Sequence, residues 1–517
     1  MNRKTLAIYF LVAAVLVAGL AAGVYFLYGK YKPVGRRAPV TESFTLLGAV
    51  PSDAALLLCS EDFGRTAQEL SDSTSILRFL VSDGRKNPFY RYVSQVSALM
   101  SPGSEARSLH SRQMALSLHY SGSMLPLMIV QIHEADSLQA AVLGELASDC
   151  SLSSALVDTE NGRMLLVSAS ETLVGSSRRH LSEGVSILSD KSFADCASGI
   201  GGREVLFISH QYTDRLTAQF LSRQLRKNNT FLKNFADWTA FSIESVRDGE
   251  TDVKGIAQSR AAAGHFAEFL SSVEPGELSF EDVVPSTAVY ALAAGLNDTQ
   301  TYIDNYQRFC VSDPQKFKSE QEKLRKRSGG IAPQNWAQAL QVREVVRAAW
   351  LSDGKLLEAV MVRAGKKNSE LITGSKNSKS HRASLQNSQD YNFGGFAASL
   401  FGQAFSVDNE SACVMNGEWI ISGSPKAIAD YATRIGQGDC LKARLDEAGA
   451  ASALPLGDCT LAAYFSPVGW ESREYCSKAL SGVADEVFAS ADFEPMVLSF
   501  DAGGFELKIV KVWNSNQ

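Results

Sequence analysis

The chain has 517 residues, 45% of them hydrophobic and 21% charged, with a formal net charge of −6. That length exceeds one ordinary core, and that composition belongs to packed domains, so a mostly disordered chain is excluded. The acidic balance gives no broad attraction for phosphate backbones, and no nucleic-acid partner is expected.

From the N-terminus, Leu6 to Tyr28 reads LAIYFLVAAVLVAGLAAGVYFLY without one charged residue. As a helix rising about 1.5 Å per residue it suits a hydrocarbon core of roughly 30 Å. Tyr9 stands near one end and Tyr25 and Tyr28 near the other, where amphipathic rings favour the interface. A cleaved secretory signal is the plainer alternative, because Arg3 and Lys4 precede the apolar run. The run is longer than a usual signal core and continues through Tyr25, Phe26 and Leu27, so a retained single-pass anchor is the expectation. Flanking charges nearly balance, with Arg3 and Lys4 before the run and Lys30, Lys32, Arg36 and Arg37 after it. The very short leading tail favours export of the C-terminal bulk, from the inner membrane into the periplasm of a Gram-negative cell. Residues 1–40 are therefore read as tail, transmembrane helix and linker. Within the helix, Gly19 and Gly23 with Ala18 and Ala22 form a small-residue stripe. Such a stripe either seats a homodimer or has no role beyond packing in lipid.

Beyond the linker, two-residue turn signals punctuate apolar runs: Ser121-Gly122, Asn161-Gly162 and Asp248-Gly249, then Asp353-Gly354, Asn416-Gly417 and Gly503-Gly504. These residues tolerate the positive φ angles of tight hairpins. Gly162 and Gly249 are separated by the same 87 positions as Gly417 and Gly504. NGRMLLVSASETLV from Asn161 lies without a gap over NGEWIISGSPKAIA from Asn416, and VPSDAALLL from Val50 resembles VPSTAVYAL from Val284. Strands alternate, as in Met114, Leu116 and Leu118 against Ala115, Ser117 and His119. Helical patterns cover Asp136–Leu146, Glu171–Leu181, Thr213–Leu225 and Pro425–Ile435. The fold class predicted is α+β: an N-terminal transmembrane helix, then two repeats of antiparallel sheet with packed helices. The repeats are assigned to 41–275 and 276–517, with Pro275-Gly276 as the joint. The Ser-, Asn- and Lys-rich stretch near 366–390 reads as an exposed loop inserted into the second repeat, or as a partner-binding arm.

Chemistry-bearing motifs are absent. No phosphate-binding loop surrounds Gly374-Ser375-Lys376, Gly199, Gly201 and Gly202 form no dinucleotide fingerprint, and there is no Gly-x-Ser-x-Gly elbow. The eight cysteines include no CxxC pair, which removes a zinc knuckle or a redox dithiol; Cys59 and Cys413 read as buried strand residues, and disulfide pairing is not assignable. Of the seven histidines, none has metalloprotease spacing, although His119, His133 and His210 lie on or beside predicted strands where they either converge or stay isolated. The basic helix pattern from Lys316 to Arg327, interleaved with Glu320 and Glu322, is read as a solvated face, or as a contact for an anionic headgroup. No catalytic, cofactor-binding or metal-ligating residue is nominated.

The Val-Pro-x-x-Ala openers at Val50, Pro51, Ala54 and at Val284, Pro285, Ala288, with the Asn-Gly-led units at Asn161 and Asn416, resemble an uncharacterised bacterial family. Its members are membrane-anchored envelope proteins carrying a domain of unknown function. The resemblance implies architecture and location and transfers no catalytic residue. The function expected is a non-enzymatic, membrane-tethered envelope protein with an envelope protein as partner. The alternatives are a lipid or small-molecule binder with its site between the repeats and, last, a hydrolase with a non-local active site.

Overall fold

The structure, a computed structural model, describes residues 38–72, 76–81, 87–101, 103–104, 106–159, 162–220, 233–247, 250–260, 264–311, 313–365, 389–447, 458–465, 496–501 and 504–510. Among these, no helix is long and apolar enough to cross a membrane. The expected anchor at Leu6–Tyr28, its Gly19 and Gly23 stripe, and all but the last two residues of the 366–390 stretch lie outside the described residues. What is described is α+β, with antiparallel sheets and helices packed on them.

In the first of two compact units, which closes before Gly264, β1 (Leu56–Ser60) precedes a helix pair, α1 (Phe63–Ser71) and α2 (Pro88–Leu99). The hairpin β2 (Met114–Ser121) and β3 (Ser123–Ile132) leads through α3 (Ser137–Asp149) to a second hairpin, β4 (Ser153–Thr159) and β5 (Gly162–Ser168). Helices α4 (Glu171–Glu183) and α5 (Lys191–Gly199) precede β6 (Glu204–Ser209), and α6 (Thr213–Phe220) precedes β7 (Trp238–Arg247) and β8 (Glu250–Gln258). Across the sheet the order is β4-β5-β3-β2-β1-β6-β7-β8, antiparallel throughout.

Local chemistry explains the helix starts. The Ser170 hydroxyl accepts from the Leu173 N–H ahead of α4, and the Asp190 carboxylate accepts from Ser192 and Phe193 N–H groups ahead of α5. Each satisfies amides that a helix start leaves unpaired. Leu57, Cys59, Ala115, Ile129 and Phe207 form one sheet face, packed with Leu173 and Val174 of α4 and Phe193 and Ala197 of α5. Each such side chain stabilises the fold by roughly 1.5–3 kcal/mol. Leu58, Leu116, Val130 and Leu206, on the other face, are equally buried.

The second unit begins at Gly264. It contains α7 (Phe266–Ser271), β9 (Gly276–Glu277), β10 (Ala288–Gly295), α8 (Thr299–Cys310), α9 (Pro314–Arg327) and α10 (Pro333–Leu340). Then come β11 (Val342–Ser352), β12 (Lys355–Ala364), β13 (Gln389–Asp390), α11 (Phe396–Phe401), β14 (Ala412–Asn416) and β15 (Trp419–Gly423). Last are α12 (Pro425–Ile435), α13 (Leu441–Glu447), β16 (Asp458–Cys459), β17 (Leu461–Phe465), β18 (Met496–Asp501) and β19 (Gly504–Val510). Its sheet runs β13-β14-β15-β12-β11-β10-β17-β18-β19. Apart from β13, this is the order of the first sheet, strand for strand.

Register agrees as well as order. Leu56 pairs with Leu118 and Ile208; Tyr290, in the same place, pairs with Ala349 and Phe465. One polar clasp recurs at matching positions. Gln113 Oε1 accepts from both the N–H and the hydroxyl of Thr45, each at 3.2 Å, and Gln131 lies alongside, donating to the Thr45 hydroxyl at 3.3 Å. In the second unit Glu344 Oε2 accepts from the Ser279 N–H at 2.9 Å and hydroxyl at 3.1 Å, and its strand neighbour Arg363 stands 3.9 Å away.

The compact units divide before Gly264, and Gly276 pairs with Cys459 inside the second unit. The glycine is there for close approach, since a Cβ on Gly276 would strike the backbone of Gly295 and Leu296. Every expected hairpin is present, but the signal dipeptide does not always form the connection. Asp353-Gly354 does, with φ of 50° and 68° between paired Ser352 and Lys355. Asn416, by contrast, pairs with Trp419, which leaves Gly417-Glu418 as the turn. Gly162 is itself paired with Thr159 and Gly504 with Asp501, and Ser121 pairs with Ser123 around Gly122 alone. A dipeptide states which residues accept positive φ, not which rung closes the ladder.

Candidate functional site

Histidine 119 closes the richest constellation in the first unit. It sits on β2, on the face covered by α4, and its side chain is almost wholly buried. Its Nδ1 lies 2.8 Å from Asp53 Oδ1, and its Nε2 lies 2.8 Å from Ser117 Oγ. Alternation puts Ser117 and His119 on one side of β2, and the turn preceding β1 brings Asp53 over them. An ionised Asp53 requires hydrogen on Nδ1, so neutral His119 accepts the Ser117 proton through Nε2. The His119 hydrogen bond holds the Asp53 carboxyl below its ordinary value, against an opposing push from partial burial. Nearby, the Tyr212 phenol is pushed up, first by burial and then by the negative charges of Asp53 and Asp190.

The connectivity Ser–His–Asp is that of an activated nucleophile. Its exposure is inverted. Ser117 is completely buried, paired across the sheet with Leu57 and Leu127, both completely buried. Asp53, the residue that would be enclosed in a working triad, is 57% exposed. Ser117 Oγ is thus sealed from solvent, where an acyl-transfer nucleophile must meet its carbonyl substrate.

The remaining sequence candidates separate. His210 shares this end of the sheet, since the Ser209 N–H bonds to Ala55 O, and Ala55 N–H to Leu118 O; its Nε2 meets Thr239 Oγ1 at 2.6 Å. His133 is at the opposite end, beyond Ile132, where it caps the turn ahead of α3. The three histidines therefore do not converge. Elsewhere, His110 pairs with Asp62 at 3.0 Å, His265 caps α7, and His381 lies outside the described residues. No group of three or more His, Cys, Asp or Glu fit to hold a metal occurs among the described residues. Cys59 and Cys413 are buried on β1 and β14, as read from sequence, and Cys476 lies outside the described residues. The basic helix is α9, which buries no residue and pairs Arg325 with Glu322 at 2.7 Å, the solvated-face reading.

The second unit does not repeat the constellation. Ala348 and Trp350 stand where Ser117 and His119 stand, by the same register. The Trp350 indole N–H donates to Asp430 Oδ2 at 2.7 Å, and Arg434 Nε donates to the same oxygen at 2.7 Å. Arg434 also reaches Asp439 at 2.9 Å. Sequence reading missed both sets because Asp53 with His119, and Trp350 with Asp430, are brought together only by the sheet. Burial pushes the Glu204 and Glu344 carboxyls each up to about 8, and Glu204 Oε2 has no hydrogen-bond partner among the described residues. No protein-family model, curated protein or solved structure matches this chain.

Proposed function

We propose that this chain is a non-enzymatic, membrane-tethered protein of the cell envelope, acting as an interaction or structural module. The observation behind the non-enzymatic half is the enclosure of Ser117 between Leu57 and Leu127, which seals from solvent the hydrolase-like geometry found among the described residues. The tethered half rests on the uncharged run Leu6–Tyr28. Membership of the envelope family, the inner-membrane location and the periplasmic placement of the bulk belong to the same proposal, since a short leading tail behaves as an uncleaved export signal.

Two measurements test it. A fluorophosphonate probe is expected to leave the native chain unlabelled; labelling that disappears in Ser117→Ala would make it a serine hydrolase. The full chain is expected to stay with membranes through alkaline carbonate, and the chain starting after residue 37 to leave them. Release of the full chain would end the tether.

A further inference from the structure

Helix α9 follows α8 as α2 follows α1, yet the two helices are built differently. In α2, Phe89, Tyr92, Val93 and Val96 are buried, and Arg91 is the only charged residue. In α9 no residue is buried, and six cationic side chains stand against two carboxylates, a net of +4 in a chain of −6. The helix lies on its unit by a half-buried edge that includes Phe317, Gln321 and Leu324, with Gln321 Nε2 donating to Ser399 O at 3.2 Å.

Periodicity places the charges. At roughly 100° per residue, Lys316, Ser319, Lys323, Lys326 and Arg327 share one arc of the helix, turned away from Phe317, Gln321 and Leu324. All five are exposed, and Glu320 and Glu322 flank the arc without entering it. None of its four cations takes part in an ion pair among the described residues; Arg325 and Glu322, paired at 2.7 Å, lie outside it. Helix stability does not account for this face. Cations in the last turn suit the negative end of the helix dipole, which covers Arg325, Lys326 and Arg327. Lys316, however, stands in the first turn, where its own N–H bonds to the Asp313 cap and the dipole disfavours a positive charge. Lys323, in mid-helix, gains nothing from either end.

We propose that this arc of α9 docks on the anionic headgroups of a phospholipid bilayer, an inference that rests on the tethered reading given above. The sign of the arc selects an anionic partner, and the tether selects which one, because it keeps a bilayer at high effective concentration beside the helix. Clusters of about four to eight cations near such a surface are held by its charge. The arc has no apolar or aromatic residue, so contact stays at headgroup depth, without insertion into the acyl region and without stacking on bases. A polynucleotide is further opposed by the net charge of −6. A contact made by charge alone is screened by salt, and that sensitivity is what the experiment reads.

The full chain is reconstituted in nanodiscs of phosphatidylcholine, alone or with about 30% phosphatidylglycerol, and acylation of each lysine by a water-soluble reagent is followed by mass spectrometry. Lys316, Lys323 and Lys326 are expected to react at least about threefold more slowly in the anionic discs at about 50 mM salt, and equally in both discs at about 500 mM. Lys426, exposed on α12, is expected to react alike in all. Lys323→Glu is expected to return Lys316 and Lys326 to within about twofold of their rates in zwitterionic discs. Thermal melts check its folding, and Lys323→Gln is read in its place if it is unfolded. Inorganic phosphate added to zwitterionic discs is expected to slow none of the three; slowing by phosphate alone would overturn the bilayer as partner. Equal rates in the two discs, slowing shared by Lys426, or protection untouched by the Lys323 variant also overturns the inference. Loss of the chain from zwitterionic discs ends the tether and the docking built on it, whereas equal rates in a retained chain end the docking alone.

Discussion

The two units share strand order and register, yet they fill matching positions with different polar groups. In the first, the clasp beneath the β2 and β3 strands is amide and hydroxyl, Gln113 with Gln131 and Thr45. In the second it is Glu344 with Arg363 and Ser279. At the other end the first unit buries His119 with an exposed aspartate, whereas the second fills the position with Trp350 and ties it to Asp430 and Arg434. At the clasp the shared requirement is a partner for a backbone N–H, that of Thr45 or of Ser279, and either an amide or a carboxyl oxygen meets it.

Trp350→His sharpens this comparison most. It installs the first unit's residue at a site where Thr287 stands in place of Asp53, and it empties much of a completely buried indole. A loss of about 3 kcal/mol in denaturant unfolding is expected, with Asp430 still held by Ser352 and Arg434. A loss below about 1 kcal/mol would mean that the two positions are interchangeable.

Glu344→Gln converts the second clasp into the first. Because burial raises the Glu344 carboxyl to about 8, the folded state holds one proton more than the unfolded state between the ordinary glutamate value and that point. Stability from this group is therefore complete in mild acid and is lost as pH rises through about 8. The amide variant is expected to remove a pH-dependent loss of the order of 4 kcal/mol while keeping the Ser279 bonds. Glu204, also raised to about 8, carries the same slope in the first unit, so Glu204→Gln with Glu344→Gln should leave melting temperature nearly flat from pH 6 to about 9. An unchanged slope in the double variant would place the titration elsewhere.

Smaller effects belong to the histidine relay. Ser117→Ala removes one neutral hydrogen bond and is expected to cost about 1 kcal/mol. Asp53→Asn should cost less, below about 1 kcal/mol, since the aspartate is mostly in water. The sign with pH is opposite to that of Glu344: the Asp53 carboxyl is depressed, so its contribution is present above the ordinary aspartate value and disappears as acid protonates it.

Much of this architecture was legible along the chain. Turn-forming dipeptides marked six hairpins, and Ser424 followed by Pro425 marked the start of α12 where it is found, because proline suits a first helical turn. The rung that closes each hairpin, and the close approach of Gly276 to Gly295, were not legible. Rungs are closed by the partner strand, and Gly276 meets Gly295 only after β9 crosses β10. The site was less legible still. Ser117 and His119 are visible as an i, i+2 pair on a strand, but Asp53 lies 66 positions away from His119 and is recruited by the fold.

By itself, then, the amino-acid order determined the periodicities, the breaks between them and an α+β class, since alternation, capping and turn chemistry act over a few residues. Only the tertiary structure decided which polar groups meet and which hydroxyl is sealed from water. Those outcomes depend on contacts between residues far apart in the chain, where local preference has no reach.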